Sequence, residues 1–96
     1  MTTEIVALGL DIAAFSEMLG GMSSEAWKQT AEGATLARYN ELLAETKRLL
    51  PAVTLWPRRL EVANEAANLD VLMHAEQLAD RLADVDPAGD SGIWRR

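Results

Sequence analysis

The chain has 96 residues, 49% of them hydrophobic and 25% charged, with a formal net charge of −6 and no cysteine. That is one domain's worth of ordinary globular sequence, and it excludes a multi-domain enzyme, a collagen-like chain and a long disordered chain. Disulfides, thiolate metal sites and cysteine nucleophiles are excluded as well.

The first apolar segment, Ile5 to Gly20, is interrupted only by Asp11, Ser16 and Glu17. It is short for a membrane span, and Glu4 stands where a signal peptide would carry basic residues. It reads as a buried helix of a cytoplasmic protein. Thr2 or Thr3 caps its start. Ile5, Leu8, Ile12, Phe15 and Leu19 form one stripe at helical spacing, and Gly20-Gly21 ends it through a left-handed residue. Val6, Leu10, Ala13, Ala14 and Met18 lie beyond that stripe as an apolar excess. Gly9 and Ala13 allow another helix to approach closely.

Ser23 and Ser24 are candidate caps for a second helix that Pro51 stops. Trp27, Ala31 and Ala34 share one face. After Gly33 the apolar face moves by about a quarter turn to Leu36, Tyr39, Leu43 and Leu50. Either the helix is kinked or broken at Gly33, or it runs straight past different neighbours. Continuity is favoured, because an isolated glycine costs only ~1 kcal/mol.

The third helix is expected from Pro57 to about Val85, with Leu60, Asn64, Ala67, Val71, His74 and Leu78 along a heptad-like seam. In its first half Val62, Ala66, Leu69 and Met73 form a second apolar stripe. The same side continues as Glu76, Asp80 and Asp84. Two covered sides are more than three helices of a monomer supply, which points to an interface with a second copy or another protein. His74 is a structural histidine held by Asp70, one turn earlier. Residues 86–92, Asp-Pro-Ala-Gly-Asp-Ser-Gly, form a flexible acidic linker. It leads to Ile93, Trp94, Arg95 and Arg96. Trp and Arg are frequent at binding hot spots, so Trp94 and Arg95 join the candidate interface.

Charge is segregated. Residues 1–46 hold seven acids against Lys28 and Arg38, and residues 61–90 hold eight against Arg81. Between them Lys47, Arg48, Arg58 and Arg59 surround a turn that carries Trp56. Lys47 and Arg48 suit a helix C-terminus, whereas Arg58 and Arg59 are expected to open the next helix. The favoured reading is a helix-hairpin end with Trp56 packed inward; otherwise such a turn suits phosphates, an acidic protein or a headgroup. The acidic balance of the rest argues against direct nucleic-acid binding.

No nucleophile, phosphate-loop or metal motif is present, so no catalytic, cofactor-binding or metal residue is named. The expected fold is all-α: a three-helix bundle over residues 1–85 with a flexible tail over 86–96. The expected function is a non-enzymatic protein–protein interaction module that self-associates, as an assembly, adaptor or scaffold component. The alternative is a small acidic inhibitor that blocks a basic site on a partner, such as that of a nucleic-acid-binding protein, through Glu76, Asp80 and Asp84.

Overall fold

The computed structural model describes residues 3–85, and the fold is all-α. Three long helices, α1 (Thr3–Gly20), α3 (Gly33–Leu49) and α4 (Asn68–Val85), form a bundle. A five-residue helix, α2 (Ser24–Lys28), follows α1, and a short 3₁₀ turn (Val62–Asn64) precedes α4. The stripe read from the sequence is the buried face of α1: Ile5, Leu8, Ile12, Phe15 and Leu19 lie in the core. They meet Leu36, Tyr39, Leu42 and Leu43 of α3 and Val71, Leu72, Leu78 and Leu82 of α4.

Helix directions follow from contacts at their ends. Glu4 at the start of α1 pairs with Arg48 at the end of α3, at 3.3 Å, so these two run antiparallel. Helix α4 starts beside α2, because the Asn68 amide side chain donates to the Ala26 carbonyl at 2.8 Å. It therefore runs back along α1, its most extensive neighbour. Tyr39 and His74, each about two turns into its helix, meet edge to face at 6.0 Å, so α3 and α4 run parallel.

Three features differ from expectation. The second helix is not continuous. Residues 29–32 are extended, and Gly33 opens α3 rather than interrupting a longer helix. Thr30 pairs with Ala67 in an antiparallel bridge. Ala31 N–H donates to Ala66, and Asn68 N–H donates to Gln29. These long-range bonds satisfy backbone groups that a helix would otherwise use internally. The quarter-turn shift of the apolar face at Gly33 was the trace of this break.

The third helix starts eleven residues later than expected, at Asn68 instead of Pro57. Segment 53–61 forms no helix, and α3 takes up its backbone. Tyr39 Oη donates to the Arg58 carbonyl at 2.7 Å. Asn40 grips Leu60 twice: its Nδ2 donates to the Leu60 carbonyl at 2.5 Å and its Oδ1 accepts from Leu60 N–H at 2.9 Å. Pro57 and Leu60 are buried by this path. Asn64 is not in a helical seam; its Oδ1 accepts from Glu61 N–H and closes the 3₁₀ turn. Glu65 then adopts the left-handed conformation, with φ 51°, and ends that turn.

The exit from α1 needs no left-handed glycine, and Glu65 is the only described residue with positive φ. Instead the Leu19 carbonyl accepts from Met22 N–H and, at 2.8 Å, from the Trp27 indole N–H. A carbonyl orphaned at a helix C-terminus is thereby satisfied.

Candidate functional site: the outer face of α1 and α4

At 100° per residue, Leu10 and Val6 lie about 120° and 160° round α1 from Glu4, which marks the side of α3. On α4, Met73 and Leu69 lie about 100° and 140° round from His74, which touches Tyr39 of α3. Both apolar pairs are thus turned away from α3, on the outer side of the α1–α4 seam. They remain open: Val6 is 36%, Leu10 50%, Leu69 40% and Met73 51% exposed. Buried Gly9 and half-buried Ala13, also off α1's main stripe, are small enough to let the two helices come close.

The same face of α4 continues as Glu76, Asp80 and Asp84, all exposed. The spacing 69, 73, 76, 80, 84 keeps these side chains on one side of a helix. The face therefore begins apolar and becomes acidic towards the end of α4. Among the described residues no ion pair satisfies Glu76 or Asp80; the pairs formed are Arg38–Glu41, Arg48 with Glu4 and Glu45, and Arg59–Glu61.

Val62 does not belong to this face. It was expected to share a helical stripe with Leu69 and Met73, but the 3₁₀ turn carries it elsewhere. It lines a shallow groove of about 620 Å³ between α3 and segment 59–63, with Ala37, Glu41 and Ala44 opposite. The expected patch divides: Val62 lies apart, Leu69 and Met73 stay together near the start of α4, and Val6 and Leu10 of the antiparallel α1 lie towards the other end of α4. Trp94 and Arg95 lie outside the described residues.

The basic turn is largely spoken for. Arg48 bonds to Glu45 and reaches Glu4. Its guanidinium holds the Glu45 carboxyl below the usual range, and the two carboxylates hold the Arg48 proton more tightly than usual. Arg59 pairs with Glu61 at 3.3 Å. The Trp56 ring packs against the core, and its N–H donates to Val53 at 3.1 Å. Arg58 lends its carbonyl to Tyr39, not a helix start to a phosphate. Lys47 and the Arg58 side chain stay exposed.

His74 is structural, as its place in the sequence suggests, but its partner differs in detail. Nδ1 sits 2.7 Å from the Asp70 backbone carbonyl, which only accepts, so Nδ1 carries the proton. The Asp70 carboxylate instead receives the Ala67 N–H just before α4. Burial pushes the Tyr39 phenol up to about 12, despite the nearby Arg58 charge that pulls it down. Among the described residues no group of three His, Asp or Glu side chains is placed to hold a metal ion. No described helix is long and apolar enough to cross a membrane. Comparison of the chain with protein-family models, curated proteins and solved structures finds no match.

Proposed function

We propose that this protein is a non-enzymatic interaction module that self-associates through the outer face of α1 and α4, as an assembly, adaptor or scaffold component. One observation carries the proposal: two packed helices each leave an apolar pair exposed, Val6 and Leu10 on α1 and Leu69 and Met73 on α4. Single exposed apolar residues are normal, but an exposed apolar pair on each of two adjoining helices favours a partner surface. A second copy suits the face because a two-fold axis sets like patch against like patch. With the axis near Leu69 and Met73, the two acidic rows run off in opposite directions and avoid each other.

The test is charge placed in the patch. Leu69→Glu and Met73→Glu weaken self-association at least tenfold with helicity unchanged. Val62→Glu, in the separate groove, leaves association alone. Equal effects at all three positions, or none at 69 and 73, reject the face.

A second reading rests on Glu76 and Asp80, which no described cation neutralises. In that reading the chain is a small acidic inhibitor that occupies a basic site on another protein. Its signature is a monomer whose affinity for the partner falls steeply with salt, and Glu76→Gln with Asp80→Asn removes that salt dependence.

A further inference from the structure

We propose that the exposed pair Arg58-Arg59 is a latent cleavage site for a protease specific for basic residues, kept shut by the grip of Tyr39 and Asn40 on the segment that carries it. The proposal does not depend on the outer face of α1 and α4.

A protease of this class takes several residues of unattached chain, with the basic side chain in an acidic pocket and the scissile carbonyl among hydrogen-bond donors. A helix must unwind before it is cut, so the part of the fold that opens most readily is cut first. Lys28 lies in α2, Arg38, Lys47 and Arg48 in α3, and Arg81 in α4. Arg48 is held further by Glu45 and Glu4. Among the described residues, Arg58 and Arg59 are the only lysines or arginines outside a helix, and both are exposed.

Their protection comes from two neighbouring side chains of α3. The bond Arg58–Arg59 has its carbonyl committed to Tyr39, whose Oη donates to it at 2.7 Å. The bond Arg59–Leu60 has its nitrogen committed to Asn40 Oδ1 at 2.9 Å, and the Leu60 carbonyl accepts from Asn40 Nδ2 at 2.5 Å. Leu60 is 1% exposed and seats the segment in the core, and Pro57 is buried too. While these contacts hold, neither bond is offered to a protease. Their release frees the segment without unwinding the long helices, so it occurs more often than global unfolding.

Hydrolysis adds water across the bond: the hydroxyl goes to the arginyl carbonyl carbon and the hydrogen to the following nitrogen. At neutral pH the new carboxyl gives up a proton and the new amine takes one. A cut after Arg59 thus leaves an ammonium on Leu60, whose seat in the core does not accept charge. The segment cannot return, and one cleavage makes the opening permanent.

The experiment is limited digestion of the full chain with trypsin, the fragments being identified by mass spectrometry. The first internal cut is expected after Arg58 or Arg59; loss of Arg96 alone, by a cut after Arg95, is recognised by its mass and set aside. Local opening exposes little surface, so the rate of this cut changes less than about twofold between zero and 1 M urea, corrected for trypsin activity on a small arginyl ester. Cleavage through global unfolding would speed up roughly fivefold or more over the same range. Asn40→Ala accelerates the cut by about tenfold or more, because cleavage follows the population of the open form. A first cut at Lys28, Arg38, Lys47, Arg48 or Arg81 overturns the proposal. So does a cut that follows global unfolding in urea, a chain that stays whole until it unfolds, or a rate that Asn40→Ala leaves unchanged.

Discussion

Asn40 is expected to be among the costliest polar residues to remove. Its side chain holds both backbone groups of Leu60, accepting from N–H at 2.9 Å and donating to C=O at 2.5 Å, across twenty residues of sequence. Leu60 is 1% exposed, so water does not readily replace either bond. Asn40→Ala leaves a backbone donor and acceptor unpaired at about 1–3 kcal/mol each. Partial relaxation of the loop brings the expected sum to about 2–4 kcal/mol. For a domain this size each kcal/mol moves Tm by roughly 4–8 °C, so the shift is easily read by circular dichroism during heating. Asn40→Asp gives a sharper test. Its carboxylate still accepts from Leu60 N–H but faces the Leu60 carbonyl with a second acceptor. It is expected to cost at least as much as Ala at pH 7 and to recover part of the loss below about pH 4, where the protonated acid donates again. A loss under about half a kcal/mol for Asn40→Ala would show that segment 53–61 is held by apolar contacts alone.

Ile12 is fully buried, and Leu8 nearly so, on the central stripe of α1; each change to Ala should cost about 2–5 kcal/mol in urea denaturation, and negligible losses at both sites would place that stripe in water. Glu65 carries a left-handed backbone that costs a non-glycine residue about 1–2 kcal/mol, so Glu65→Gly should stabilise by several tenths of a kcal/mol or more, and a net loss would mean that the Glu65 side chain matters more than its backbone. The Tyr39 phenol titrates near 12 in the fold, against about 10 in the unfolded chain. The unfolded state therefore loses its proton first. Stability is intact below pH 10 and declines as pH rises towards 12, by up to about 2–3 kcal/mol from this group. Tyr39→Phe should flatten that decline, and an identical alkaline profile in the variant would refute the assignment.

Periodicity made the long helices legible. Ile5, Leu8, Ile12, Phe15 and Leu19, and likewise Val71, Leu78 and Leu82, are spaced as one buried face demands, and all are buried. The same signal misled at the start of the third helix. Leu60, Asn64, Ala67 and Val71 happen to fall at spacings 4, 3 and 4, although between 60 and 67 the chain makes only the short 3₁₀ turn Val62–Asn64. What decides that segment is its bonding to Tyr39 and Asn40, and side chains that grip a distant backbone leave no local pattern. The pairing of Thr30 with Ala67 is equally non-local, and it overrode the modest helix preference of residues 29–32. For the candidate face, Leu69, Met73, Glu76 and Asp80 were legible because they share a true helix. The placing of Val62 was not, since it depended on where that helix began. The excess of Val6 and Leu10 on α1 was visible, but where it falls along α4 needed the directions of three helices.

The central claim is that the outer face of α1 and α4 binds a second copy. Its most direct test is the molar mass in solution by sedimentation equilibrium over a wide range of protein concentration. The account predicts a mass that rises from monomer towards dimer, and that stays at monomer in Leu69→Glu. A chain that remains monomeric throughout would contradict it.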